Sequence, residues 1–225
     1  MTGKQVAAEA AAALVEDGMR LGLGTGTTVD HLLVALAVRR LDISGVPTSE
    51  QTAARCRELG IALLDPNDVE RLDLTIDGAD ELTPGLVLTK GGGGALVREK
   101  VVAAMSDRVV IIATPDKVVE RLGVTFPLPI EVVPFGVGYV ARRLEHEHGL
   151  EVEVRRRNGT EARTDNGNAL LDCRAPAGIE DPAALDASVA RMPGVVDTGL
   201  FVDLADLAIL GSSDGSTRTI ERARD

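Results

Sequence analysis

Tryptophan is missing from this 225-residue chain, and one Tyr and three Phe are its only aromatics. Stacking platforms for bases or sugar rings are therefore nearly absent, and the core has to be built from Val, Leu, Ile and Ala. Positive charge is also in deficit: 24 Lys and Arg stand against 35 Asp and Glu, a formal net charge of −11. That balance argues against nucleic acid or an anionic membrane as partner, since both want an extended basic face. A small anion is compatible with it, because a few cations and backbone amides need only converge locally. Cysteine is scarce, and Cys56 and Cys173 lie far apart with no CxxC spacing. Reduced thiols in a cytoplasmic protein are the expectation, with no disulfide framework. No apolar run is long enough to span a bilayer, and Lys4, Glu9, Glu16 and Asp17 interrupt the Ala-rich start, so it does not read as a signal peptide.

What is present is ordinary for a folded chain, with 44% hydrophobic and 26% charged residues. Residues 4–16 read as a helix stopped by Asp17-Gly18, followed by a buried strand in "MRLGLG" and a helix from Val29 to Arg40. "LDISGVP" is the next strand, Thr48 or Ser49 caps a helix running to Leu59, and Gly60 stops it. "IALL", "LDLTIDGADE" and "RVVIIAT" read as further strands, with a helix in "ALVREKVVAAM" and a short one capped by Asp116 and reaching Leu122. Short apolar strands alternating with helices predict a Rossmann-like α/β unit, its mostly parallel sheet covered by helices on both faces. Three prolines in "FPLPIEVVP" mark a change of pattern, after which the chain reads strand, helix, hairpin, helix, strand. Asn158-Gly159 suits a tight hairpin turn, and Asp181-Pro182 a helix start. "VVDTGLF" reads as one strand and "ADLAILG" as a return to the first sheet. The division expected is 1–127 with 201–225 for the first domain and 128–200 for a smaller α+β domain.

Three segments should sit at the carboxyl ends of the first domain's strands, where doubly wound sheets bind ligands, and so face one crevice. "GLGTGTT" (22–28) follows a strand and opens a helix; its amides and the hydroxyls of Thr25, Thr27 and Thr28, pointing outward, suit a phosphate. It matches neither usual nucleotide fingerprint, and a glycine turn that only packs helix against strand is the other reading. "TIDGADE" places Asp77 and Asp80 just past an apolar strand, spaced by Gly78 and Ala79, where acids can hold hydroxyls or share protons; a solvated acidic turn would look the same. "KGGGGALVREK" sets Lys90, a mobile cation, before Gly91, Gly92, Gly93 and Gly94, with Glu99 more than a turn inside the following helix. Glycines let backbone approach a ligand closely, and a carboxylate near a cation and a helix start can act as a base beside an oxyanion. Simple loop filler is the alternative. His146 and His148 alternate along a helix and diverge, so they do not form a metal pair. "RRR" at 155–157 reads as the exposed side of a hairpin.

Taken together and in this order, "GLGTGTT", "TIDGADE" and "KGGGGALVREK" resemble the A-type ribose-5-phosphate isomerases. The similarity continues through "ATPDKVVERLG", "FPLPIEVVP", "TDNGN", "MPGVVDTGLF" and "AILGSSDG", nearly the whole chain. The family's first loop often reads G-S-G-S-T; threonines here keep the hydroxyls. The resemblance implies reversible interconversion of D-ribose 5-phosphate and D-ribulose 5-phosphate in the pentose phosphate pathway, with no metal or cofactor. It also implies a ferredoxin-like second domain and a homodimer. By motif position, Glu99 would move a proton between C2 and C1 through an enediolate. Asp77, Asp80 and Lys90, with Gly78, Ala79 and Gly91 to Gly93 around them, would hold the sugar oxygens and steady the developing charge. Thr25, Gly26, Thr27 and Thr28, with Lys117 and Lys4, would hold the phosphate. A non-catalytic sugar-phosphate sensor is a rival, but no helix-turn-helix segment is apparent. An amino-sugar phosphate deaminase or a CoA transferase is disfavoured by the paired "DGADE" and "KGGGGAL" loops.

Overall fold

A computed structural model of the chain describes residues 1–222; the end of the first domain as read from sequence, 223–225, lies outside the described residues. The chain runs α1 (Gly3–Ala12), β1 (Arg20–Leu23), α2 (Thr27–Arg39), β2 (Ser44–Pro47), α3 (Glu50–Leu59), β3 (Ala62–Leu63), β4 (Leu74–Asp77), β5 (Glu81–Leu82), β6 (Leu88–Thr89), α4 (Leu96–Ala104), β7 (Val109–Ala113), β8 (Leu128–Val132), α5 (Val137–His148), β9 (Glu151–Val154), β10 (Arg156–Arg157), β11 (Thr160–Glu161), β12 (Ala169–Arg174), α6 (Pro182–Val189), β13 (Val195–Thr198), β14 (Leu200–Phe201), β15 (Leu207–Gly211) and β16 (Thr217–Glu221). It forms two compact units, one of residues 1–79, 98–118 and, among the described residues, 203–222, the other of 80–97 and 119–202. Residues 80–97, 119–127 and 201–202, expected in the first domain, thus belong to the second unit.

The first unit is built on a seven-stranded sheet in the order β16-β15-β7-β4-β1-β2-β3. Every neighbouring pair is parallel except the antiparallel edge pair β15–β16. Alternation along the strands explains the two helical layers. Leu21, Leu23, Leu74, Ile76, Val110 and Ile112 turn to one face and pack with α1 and α2, while Gly22 and Thr75 turn to the other, where Val102 of α4 lies. Gly22 leaves the room for that helix: a Cβ there would sit 2.5 Å from Val102 Cγ1. Local signals set the helix ends. Thr2 and Gln5 form a reciprocal cap on α1, Ser49 caps α3, and Gly60 closes α3 in the left-handed conformation. Cys56 is sealed in this core, and its burial pushes the thiol up to about 11, so it is no nucleophile at neutral pH.

The second unit contains an antiparallel sheet in the order β13-β8-β12-β9. Strand β12 splits the β8-α5-β9 crossover and β8 splits β12-α6-β13, the ferredoxin-like arrangement. Residues from α5, α6 and the strands make its core, among them Val140, Leu144, Val189, Leu128, Ile130 and Leu171. Asn158 (φ 52°) and Gly159 (φ 80°) form the tight turn between β10 and β11, as their pairing predicts. A separate three-stranded ribbon, β14-β6-β5, carries the segment leading to Lys90.

Several local expectations change. "LDLTIDGADE" is two strands, β4 and β5, in different sheets, because Gly78 and Ala79 break the run. "VVDTGLF" likewise divides at Gly199 into β13 and β14; a Cβ at Gly199 would stand 2.3 Å from the carbonyl oxygen of Lys90. Asp116 caps no helix to Leu122: a single 3₁₀ turn, Pro115–Lys117, follows β7. Helix α1 ends at Ala12, four residues before Glu16.

Candidate active site

In the first unit, the chain leaves β1 for β2 and β3 on one side and returns to β4 on the other, so the order reverses between β1 and β4. Ligands of doubly wound sheets bind at such a switch point, outside the carboxyl ends of the strands. The two ends are tied together here. Asp77, at the end of β4 and 2% exposed, accepts the Thr25 amide at 3.0 Å and the Gly78 amide at 2.7 Å on Oδ1. Gly24 has to be glycine: a Cβ would lie 2.0 Å from that same oxygen.

Beyond Gly24 the loop opens α2. Gly26 is the N-cap at φ 120° and supplies no side chain, so the first-turn amides of a 13-residue helix are left without a side-chain cap. Positive potential from that helix end favours an anion at Gly26, Thr27 and Thr28. Lys4 adds a cation there, its Nζ donating to Thr27 Oγ1 at 2.7 Å. Lys117 is half-buried in the turn after β7, the strand beside β4 on the same sheet edge. Thr25 differs from the expectation. Its hydroxyl does not point outward but joins Thr48 Oγ1 at 2.8 Å, Ser49 Oγ at 2.8 Å and Thr52 Oγ1 at 3.2 Å, and Thr52 in turn donates to the Gly24 carbonyl at 2.8 Å. Sequence reading took Ser49 only as a helix cap and missed this hydroxyl cluster. The signal was "TSEQT", three hydroxyl residues within one turn of a helix start.

Glu99 is 4% exposed and lies in the first turn of α4, not deeper in the helix as expected, because the four glycines keep the chain out of helix until Leu96. Three residues on, Val102 covers Gly22 and Thr75, and at the far end Ser106 bridges Leu72 and shares a 2.6 Å hydrogen bond with Thr75. Helix α4 therefore runs antiparallel to β4. Glu99, one turn or about 5 Å nearer the helix start than Val102, lies toward the carboxyl ends of β1 and β4. A carboxylate buried there suits proton transfer better than solvation.

In the second unit, Asp80 and Lys90 flank the ribbon. Asp80 donates its amide to the Thr89 carbonyl at 2.9 Å and accepts the Gly92 amide on Oδ2 at 2.8 Å. Lys90 is 3% exposed, not the mobile cation expected, and its Nζ lies 5.4 Å from the centre of the Phe201 ring. Its amide donates to the Gly199 carbonyl at 2.8 Å. The glycines answer to geometry: Gly91 and Gly94 have φ of 101° and 88°, and a Cβ on Gly92 would stand 2.5 Å from Asp80 Oδ1. Glu81, which sequence reading passed over, is fully buried and accepts the amides of Gly123, Thr125 and Phe126 at 2.7, 3.0 and 2.9 Å. It fastens the 123–126 loop to β5, and nothing in "DGADE" distinguished it from a solvated acid.

Residues 44–215 match the family model for ribose 5-phosphate isomerase A (phosphoriboisomerase A). The chain belongs to the ribose 5-phosphate isomerase A family. Among curated members, ribose-5-phosphate isomerase A of Thermomicrobium roseum is 52% identical, covering 98% of this chain and 94% of its own length. That of Caulobacter sp. strain K31 is 51% identical over 96% and 97%. Solved structures agree. The Plasmodium falciparum ribose 5-phosphate isomerase superposes with a TM-score of 0.93 at 35% identity and 98% coverage of both chains. A D-ribose-5-phosphate isomerase in complex with phospho-erythronic acid does so with a TM-score of 0.93 at 34% identity and 97% coverage of both.

Proposed function

We propose that the chain interconverts D-ribose 5-phosphate and D-ribulose 5-phosphate, an aldose–ketose isomerisation of the pentose phosphate pathway, with Glu99 as the base. The observation that carries the reading is the burial of the Glu99 carboxylate on the side of α4 toward the carboxyl ends of β1 and β4. In the open-chain aldose, Glu99 takes the proton from C2, leaving an enediolate whose charge rests on the C1 and C2 oxygens. Glu99 then delivers a proton to C1, its carboxyl proton exchanging with solvent in between, and with the hydroxyl proton passing from O2 to O1 this gives the ketose and regenerates the carboxylate. Lys90, an ammonium buried beside an aromatic face, steadies the enediolate. Asp77 and Asp80 hold sugar hydroxyls and assist ring opening, with Gly78, Ala79 and Gly91 to Gly93 as the surrounding backbone. The amides and hydroxyls of Thr25 to Thr28, with Lys4 and Lys117, hold the phosphate. Membership of the family supports the substrate; the amide-bound Asp77 and the uncapped start of α2 support the roles. We further place the protein in the cytoplasm as a homodimer, a state that sedimentation measures directly.

The test is ribulose 5-phosphate formation from ribose 5-phosphate in EDTA and in D₂O. Turnover with deuterium appearing at C1 of the ketose is expected. Binding without turnover would replace the enzyme by a sensor, and activity abolished by EDTA would contradict a mechanism carried by side chains alone.

A further inference from the structure

Arginines 155–157 read as an exposed hairpin face, yet the Arg155 side chain is only 9% exposed and is fully engaged. Its backbone is fixed on both sides, the amide donating to the carbonyl of Leu170 in β12 at 2.9 Å and the carbonyl accepting from Ala162, just after β11, at 2.9 Å. The guanidinium pairs along one edge with Asp172, Nε lying 2.9 Å from Oδ2 while Nη2 also binds Oδ1. Its remaining nitrogen, Nη1, donates to the carbonyls of Gly91 at 2.9 Å and Gly92 at 3.1 Å. The planar fork thus spans a carboxylate and two consecutive peptide groups, which a lysine ammonium cannot do in one geometry.

The loop so gripped is held from its other groups as well. Gly92 donates its amide to Asp80, Gly94 donates to the Gly91 carbonyl at 2.9 Å, and Arg157 Nη2 reaches the Gly93 carbonyl at 2.9 Å. Four glycines in a row have the largest backbone freedom to lose, so something has to fix their peptide planes. Lys90 precedes them directly, and its own amide is held by Gly199. The peptide before Lys90 is therefore set by Gly199 at the approach to β14, and the Gly91–Gly92 and Gly92–Gly93 peptides, one residue beyond Lys90, by Arg155.

We propose that Arg155, oriented by Asp172, is a positioning residue of the isomerase: it fixes the Gly91 and Gly92 carbonyls and thereby the placement of Lys90 and of the Gly92 amide on Asp80. This rests on the assignment of Lys90 and Asp80 to the reaction. Arg155 touches no reacting atom, so its loss acts on the geometry of the chemical step more than on phosphate binding. Misplacement of a catalytic group by about 1 Å costs up to about 100-fold in rate.

The experiment compares Arg155→Lys, Arg155→Met and Lys90→Met in steady-state kinetics and thermal unfolding. Arg155→Lys keeps the charge opposite Asp172 and protects the fold, but it loses the fork. The expected result is a kcat about 10- to 100-fold lower in both Arg155 variants, with KM within about threefold of wild type and the unfolding midpoint of Arg155→Lys nearly unchanged. A wild-type kcat in Arg155→Lys would reduce the residue to an ion pair and overturn the inference. So would variants whose midpoint falls while kcat per folded enzyme is unchanged. Loss of activity in Lys90→Met alongside unaffected Arg155 variants overturns this inference alone, whereas full activity in Lys90→Met overturns the underlying role of Lys90.

Discussion

In the loop of residues 24–28 the Thr25 amide is held by Asp77 of an adjacent strand and its hydroxyl by three side chains around the start of α3. In the loop of residues 90–94 the carbonyls of Gly91, Gly92 and Gly93 are taken by two arginines 63 or 64 residues along the chain. The first loop is clasped by hydroxyls around the start of α3, 23 to 27 residues on, and by Asp77 of β4, 52 residues on, which leaves the amides at the head of α2 for an anion. The second is clasped by cations from a hairpin, which fixes carbonyls and orients the residue before them. Glycine serves a different end in each. At Gly24 it lets two strand ends close on one another, and at Gly91 and Gly94 it lets the backbone take left-handed turns. Rigidity that a Gly-rich sequence cannot supply by itself is thus supplied by side chains from elsewhere in the chain, a carboxylate and hydroxyls in one case and arginines in the other.

Alanine in place of glycine breaks the two loops unequally. At Gly24 the new methyl meets Asp77 Oδ1, Cγ and Cβ at 2.0, 2.2 and 2.6 Å, and that buried carboxylate is itself tied to two amides. Gly24→Ala should therefore destabilise the protein by about 2–3 kcal/mol, the upper range for overpacking, and remove most activity. At Gly92 the first contact is the end of a half-buried Asp80 side chain. Gly92→Ala should lower stability by about 1 kcal/mol or less and act chiefly on kcat. Urea unfolding and steady-state kinetics on both variants separate the cases, and equal losses of stability would contradict the contrast drawn here. A smaller effect is expected at the phosphate end. Lys4 is one half-buried cation beside the exposed Thr27, among several donors, so Lys4→Met should raise KM about two- to fivefold with kcat retained. A fall in kcat with unchanged KM would move Lys4 out of phosphate binding.

The same contrast explains what could be read from the sequence. Alternating apolar strands and helices announced the parallel sheet, and Ser49, Gly60, Asn158-Gly159 and Asp181-Pro182 announced their own turns and caps, because each signal acts within a few residues. Asp77, Lys90 and Glu99 stood out because loops after strands and glycine runs before helices are local patterns too. Arg155 and Glu81 did not stand out. Their meaning lies in contacts about 40 to 64 residues away, and a lone buried charge looks in sequence like any solvated one. Burial of Lys90 was missed for the same reason, since Phe201 and Gly199 approach it from the other end of the unit's sequence. The division at Gly78-Ala79 failed differently: the strand and the acidic turn after it were read as one segment, which hid a change of sheet that two small residues permit.

The central claim is that Glu99 moves the proton, and Glu99→Gln tests it most directly because the amide keeps the shape and removes the base. The variant should fold with a near-native unfolding midpoint, bind a five-carbon phosphosugar acid, and turn over ribose 5-phosphate about 10² to 10⁴ times more slowly than wild type. Turnover at the wild-type rate, with C1 deuteration in D₂O unchanged, would contradict the account.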